Sequence, residues 1–198
     1  YNWYNVAMVR TRIAPSPTGL PHIGTVYQAL FNFSFAKKNK GSFIVRIEDT
    51  DRERYVEGAE KTILASIAAF GLKPDESPEV GGPFEPYRQS ERLELYQGYA
   101  QALVTLGLAY KCFCSKEKLE QIRSEETASR TKKKHREYCD VNAAGEKFVI
   151  RLKVPENEDI TFDDLIRGKI TINSKELDDQ VLLKSDGFPT YHLGVVVD

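Results

Sequence analysis

Between Arg12 and Thr25 the chain reads RIAPSPTGLPHIGT, and between Arg46 and Asp51 it reads RIEDTD. The first string places Pro, Gly and His where a strand should give way to a helix, the natural position of a phosphate site. There the ring of His22 could donate to a phosphate oxygen, helped by the free N–H groups of the helix mouth. Gly24 leaves no side chain on the first turn, so a nucleotide could approach the backbone closely. Ser16 and Thr18 add hydroxyls, and Pro15 and Pro17 stiffen the loop that carries them. The acid-rich second string falls at the end of the next strand, where open α/β sheets hold their ligands. Together the two strings point to nucleotide chemistry beside a charged small molecule. A bare His-x-Gly would suit a capped helix with a surface histidine equally well; the longer string weighs against that.

These residues need a strand–helix–strand unit to position them. Val9 to Ala14 reads as a short strand stopped by Pro15 and Pro17. Ile23 to Asn39 has apolar residues at Ile23, Val26, Leu30, Phe33 and Phe35 at mostly helical spacing, with Gly41 past its end where a left-handed cap is wanted. Ser42 to Ile47 is a second strand, and a right-handed crossover makes the pair parallel. Glu57 to Phe70 predicts a helix with Ile63, Leu64, Ile67 and Phe70 on one face and Gly71 as its stop. The Pro/Gly-rich stretch Lys73 to Pro86 is the best boundary. Glu91 to Leu106 is a third helix closed by Gly107. Beyond it come a strand at Ala109 to Phe113, a polar helix capped by Ser115, and strands near Lys147 to Val154, Ile170 to Ile172 and Gln180 to Lys184, with a tight turn at Asp186-Gly187. The expected fold is α/β: a parallel nucleotide-binding unit interrupted by a mixed α+β insert.

The bulk numbers fit such a protein. The chain has 198 residues, 41% hydrophobic and 29% charged, enough for one large domain or two small ones with their own cores. Lys and Arg number 28 against 29 Asp and Glu, which argues against a protein that coats nucleic acid indiscriminately. One basic run, Arg130, Lys132, Lys133, Lys134 and Arg136, reads as a solvated mobile loop. No apolar run approaches a membrane span, and no secretory signal opens the chain. Three cysteines are too few for a disulfide framework, so a cytoplasmic location is expected.

RIAPSPTGLPHIGT, RIEDTDRER, PYRQSER, VIRLKVP and VLLKSDGFPTYHL, in that order from about Val9 onward, resemble the amino-terminal half of bacterial-type glutamyl-tRNA synthetase, a class I aminoacyl-tRNA synthetase. The resemblance implies a Rossmann-type catalytic domain split by an insert that grips the tRNA acceptor stem. Residues 1–85 would then be the first half of the catalytic domain, 86–188 the insert and 189–198 the start of the second half. It implies glutamate and ATP (with substrate-associated Mg2+) reacting to glutamyl-adenylate, followed by transfer to the 3′ end of tRNA(Glu), the first step requiring bound tRNA. Attack of a carboxylate on the α-phosphorus needs alignment and stabilised charge rather than a protein nucleophile. The parent enzyme would be a monomer.

Residue by residue, the resemblance assigns Arg12 to the glutamate carboxylate, for which a guanidinium fork suits better than a lysine. It assigns Ala14, Ser16 and Tyr191 to the amino-acid pocket and Glu48 to the substrate ammonium. His22, Gly24 and Thr25 match the catalytic signature that contacts ATP together with Ser16 and Thr18; Thr25 stands where other members often have histidine. Asp51 and Arg54 resemble positions meeting the tRNA 3′ end, although an acid and a base three apart often simply pair. Arg123 resembles an acceptor-stem contact of the kind that positions RNA without specifying it. His192 follows Tyr191 as in the family, but Gly194-Val195 replaces its usual Ala-Asn, which removes an amide from the glutamate pocket.

Cys112-x-Cys114 followed by Cys139 resembles the zinc knuckle of some members, with His135 the best fourth ligand and Tyr138 a rarer one. Three unpaired cysteines in a subgroup without metal is the alternative. No KMSKS-type signature appears before Asp198, so the chain is expected to be a catalytic fragment inactive alone. Three rivals are a tRNA-modifying glutamyl-queuosine relative, a catalytically decayed tRNA-binding paralogue and a small-molecule nucleotidyltransferase.

Overall fold

The computed structural model describes residues 8–129, 134–139, 145, 147–164 and 166–198. They form two compact units, one ending at Arg92 and the other beginning at Leu93.

In the first unit, strand β1 (Arg10–Ile13) runs parallel to β2 (Ser42–Val45), joined by helix α1 (Ile23–Lys38). The register pairs Arg12 with Ile44 and Ile13 with Val45. Because side chains alternate along a strand, Ile13, Phe43, Val45 and Ile47 share one face, and they are all buried. Helices α1 and α2 (Ala59–Ala69) add Val26, Ala29, Ala36, Ile63, Leu64 and Ile67 to that core, and Leu72 just beyond α2 completes it. The opposite face carries Arg10, Arg12, Arg46 and Glu48. One face of the sheet is thus a hydrocarbon core and the other a charged floor.

Two corrections concern α1. Its buried positions are Val26, Ala29 and Ala36, with Phe33 packed beside them, whereas Ile23, Leu30 and Phe35 are exposed. The spacing of large apolar residues was misleading because alanines let the helix lie close to the sheet. The left-handed residue after the helix is Lys40, with φ 54°, not Gly41. Gly41 serves close packing instead: a Cβ there would overlap the Val9 carbonyl, which accepts from Ser42 N at 2.8 Å. In α2, Phe70 is likewise exposed, because it lies at the C-cap beyond the buried stripe.

The stretch 73–86 is not a mere linker. Val45 N donates to Glu76 O and Ile47 N to Tyr87 O, both at 2.9 Å, so short bridges extend the sheet beyond β2. Arg10 grips the buried Glu76 carboxylate with Nη1 and Nη2, at 2.5 and 2.8 Å, and the Tyr87 hydroxyl donates to the same carboxylate. Chiefly through Arg10, the Glu76 carboxyl is held below its usual range.

In the second unit, α3 (Leu93–Thr105) packs on an antiparallel sheet ordered β3 (Ala109–Cys112), β4 (Val149–Leu152), β7 (Val181–Leu183). Tyr96, Ala100, Ala109, Ile150, Leu182, Leu183 and Leu193 form its core. The last helix, α5 (Tyr191–Val197), belongs to this unit, where the Tyr96 hydroxyl donates to Asp198 at 2.8 Å. A hairpin of β5 (Asp159–Asp164) and β6 (Gly168–Asn173) completes it; β5 escaped the sequence reading because its acids hide the alternation. Helix α4 (Lys116–Ser129) follows Ser115, whose Oγ accepts from Lys118 N at 3.3 Å.

Of the basic run, Arg130, Lys132 and Lys133 lie outside the described residues. Lys134 and Arg136 are not solvated. The Lys134 ammonium is buried and donates to the carbonyls of Ser174 and Leu177, and Arg136 pairs with buried Asp179 at 3.2 Å. Local charge density signals solvent exposure only when no buried acceptor waits elsewhere in the chain.

Candidate active site and the family it belongs to

His22 is the N-cap of α1, in extended conformation, and its Nδ1 accepts from Gly24 N at 3.0 Å. A ring nitrogen that accepts carries no proton, so the Nε2 atom of the neutral ring is the donor. The ring itself is exposed. The helix mouth therefore offers an N–H from the imidazole beside the orphan amides of the first turn. Gly24 has a second reason to be glycine: a Cβ there would sit 3.2 Å from His22 Nδ1 and press on the capping ring. Thr25 N donates to the His22 carbonyl at 2.8 Å, and Thr25 is partly buried in the same turn. Ser16 and Thr18 lie exposed on the preceding loop, tied by a 2.9 Å bond from Thr18 N to Ser16 O.

On the charged floor, Arg12 Nη1 donates to Glu48 Oε1 at 3.1 Å, with the side chains 23% and 11% exposed. Their proximity follows from topology. Arg12 lies on β1, and Glu48 continues the line of β2, its N–H bonded to Pro15 O at 3.0 Å. The parallel register brings them to the same face, and partly buried Ala14 follows Arg12 on that line. A cation and an anion side by side at a sheet's carboxyl end can exchange their mutual contact for a ligand carrying both charges.

Asp51 and Arg54 pair with each other, Arg54 Nε to Asp51 Oδ2 at 2.6 Å, on an exposed turn. Arg123 is exposed on α4, and Tyr191, 64% exposed, opens α5; both stand in the second unit. Gly194 is buried in α5, its N–H bonded to Thr190 O at 3.0 Å.

The comparisons with known proteins agree across sequence and structure. Residues 8–198 match the family model described as tRNA synthetases class I (E and Q), catalytic domain. This chain belongs to the class I tRNA synthetases (E and Q). Glutamate--tRNA ligase from Thermus thermophilus is 56% identical over 194 residues, covering 96% of this chain and 42% of that protein. The Gloeobacter violaceus glutamate--tRNA ligase is 53% identical over 197 residues, covering 95% of this chain and 37% of the relative. The crystal structure of a glutamate tRNA ligase from Elizabethkingia meningosepticum, in complex with its amino acid, superposes with a TM-score of 0.88 at 42% identity, covering 96% of this chain and 41% of that one. This class I synthetase chain thus spans less than half the length of these relatives. Among its described residues, no helix is long and apolar enough to cross a membrane.

Within its second unit, this synthetase chain gathers Cys112, Cys114, His135 and Cys139, with all ligand atoms within 4.8 Å of one another. Cys112 Sγ lies 3.2 Å from His135 Nε2 and 3.5 Å from Cys139 Sγ. Four ligands at tetrahedral zinc distances stand about 3.5–4 Å apart, so the donor set, its spacing and its burial fit a structural zinc ion. Burial opposes charge on Cys112, but hydrogen bonds from His135, the Cys114 amide, Cys139 and Arg151 prevail and pull the thiol down to about 6. Burial, then the bonds to Cys114 and Cys112, push Cys139 up to about 12. His135 N is anchored on Asp178 at 2.8 Å, which aims the ring at the cysteines. Tyr138 belongs to the same turn, Tyr138 N bonded to His135 O at 3.0 Å.

Proposed function

We propose that this chain is the amino-terminal catalytic part of a glutamate–tRNA ligase. The supporting observation is the Arg12–Glu48 pair on the charged floor of a parallel unit whose helix mouth carries His22. Glutamate presents a side-chain carboxylate to Arg12 and its ammonium to Glu48, replacing their mutual contact with two charge-assisted ones. Ala14 and Ser16 line the amino-acid pocket beside this pair. ATP lies against His22, Gly24 and Thr25, with Ser16 and Thr18 on the approach, and Mg2+ accompanies its phosphates. An oxygen of the α-carboxylate attacks the α-phosphorus and pyrophosphate leaves, while the His22 Nε2–H and the helix amides stabilise the charge that develops on the phosphate oxygens. A ribose hydroxyl at the tRNA 3′ end then attacks the acyl carbon and AMP leaves. Asp51, Arg54 and Arg123 are the tRNA contacts in this reading.

Residues 1–85 are the first half of the ATP-binding domain, 86–188 the acceptor-stem insert and 189–198 the opening of the second half. The compact units pack 86–92 with the first of these and α5 with the insert. In this reading the whole protein is a cytoplasmic monomer.

The decisive assay is ATP–pyrophosphate exchange by the full-length protein that carries this sequence, with tRNA(Glu) present. Glutamate should support exchange, and glutamine should support it less than about a hundredth as well, because its neutral amide leaves the Arg12 guanidinium without an anion. Absence of glutamate-dependent exchange rejects the reading.

The cysteine–histidine cluster is proposed to hold zinc, which supplies a structural cross-link between the segments bearing Cys112 and His135. Protein purified without chelators is expected to carry one equivalent of zinc by mass spectrometry, and Cys139→Ser close to none. A wild-type ratio near zero ends the metal assignment.

A further inference from the structure

Asp49 is only 6% exposed, and both of its carboxylate oxygens are engaged: Oδ1 accepts from Ser90 N at 2.8 Å and Oδ2 from Ser90 Oγ at 2.5 Å. A buried carboxylate is tolerated only when its oxygens find donors, and here a backbone N–H and a hydroxyl converge from one residue. Its neighbourhood is held on both edges. On one side Ile47 N donates to Tyr87 O at 2.9 Å and Gln89 N to Ile47 O at 3.0 Å. On the other, Glu48 N donates to Pro15 O at 3.0 Å. Where the backbone ladder to residues 87–89 ends, the Asp49 side chain takes the next amide along, at the start of the 3-10 helix Gln89–Arg92. Glu48 lies between these two anchorages, and its carboxylate meets Arg12.

We propose that Asp49 is a positioning residue for amino-acid recognition: its clamp on Ser90 fixes the backbone from which Glu48 faces Arg12. The inference rests on the glutamate reading above and goes beyond it by naming what aligns the ammonium-binding acid. Asp49 does not itself touch substrate. Loss of the clamp lets Glu48 drift relative to Arg12, and displacements on the ångström scale are costly to recognition. ATP contacts, which depend on the mouth of α1, are left in place.

The test uses the full-length protein carrying this sequence, with Asp49→Ala, Asp49→Asn, Ser90→Ala and Ser90→Thr assayed by tRNA-dependent ATP–pyrophosphate exchange. KM for glutamate should rise about tenfold in Asp49→Ala and about threefold in Ser90→Ala, which keeps only the backbone N–H bond, while Asp49→Asn should stay within about twofold of wild type, because its amide oxygen accepts from Ser90 N and its NH2 donates to the Ser90 hydroxyl. KM for ATP should stay within about twofold of wild type, and Ser90→Thr, which retains both donors, should behave as wild type. Should Asp49→Ala fail to fold, the other variants carry the test. Unchanged glutamate KM in Ser90→Ala, or parallel rises for glutamate and ATP, overturns the positioning role while leaving the ligase reading intact. A wild-type protein without glutamate-dependent exchange overturns both.

Discussion

Replacing Arg12 with methionine should lower kcat/KM for glutamate in tRNA-dependent pyrophosphate exchange by about 100-fold or more, while KM for ATP stays within about twofold. Methionine keeps much of the side chain's length and apolar bulk but withdraws the only positive charge this reading offers the substrate carboxylate. It also withdraws the guanidinium from Glu48, a carboxylate 11% exposed and 3.1 Å away. Truncating one member of a desolvated, hydrogen-bonded charge pair typically costs about 2–5 kcal/mol, and about 2.8 kcal/mol corresponds to a hundredfold. Arg12→Lys should fall between the two, because an ammonium restores charge but not a two-pronged planar fork. If Arg12→Met stays within about threefold of wild type, the guanidinium does not recognise the amino acid.

Gly41→Ala should destabilise the first unit by about 3 kcal/mol, lowering its melting midpoint by roughly 12–24 °C. The added methyl would overlap the Val9 carbonyl, which is backbone and cannot rotate away. That carbonyl also accepts from Ser42 N, so relief of the clash breaks the first bond of the β1–β2 pair. Gly98→Ala provides the opposite sign. Gly98 lies exposed inside α3, and an added methyl would meet nothing within 4 Å, so alanine should stabilise by about 0.5–1 kcal/mol. Thermal unfolding of the two variants separates a steric explanation from a general dislike of alanine for glycine. A Gly41→Ala midpoint within about 2 °C of wild type would mean that the backbone there is free to yield.

Much of this protein could be read from the order of its residues. The parallel strand–helix–strand unit, His22 at a helix mouth, the glycine stops at Gly71 and Gly107 and the Asp186-Gly187 turn are local matters, governed by propensity, capping and short-range hydrogen bonds. Gly187 does adopt positive φ, 83°, with its N–H on Lys184 O at 3.0 Å. The motif strings likewise pointed to the family that the whole-chain match bears out.

Only the tertiary structure decided the rest, because those features depend on residues far apart in the chain meeting in space. The Asp49–Ser90 clamp joins two of the motif strings and the Arg10–Glu76–Tyr87 cluster joins three separate segments, yet no spacing rule links a carboxylate to a donor on another loop. Lys134 and Arg136 looked solvated until the acceptors at Ser174, Leu177 and Asp179 came into contact with them. Which stripe of α1 is buried was set by how closely alanine lets a helix approach a sheet, and that is a property of the packed interface. Local order follows from neighbours along the chain, whereas burial, charge pairing and close backbone approach are fixed only when the strands and helices pack.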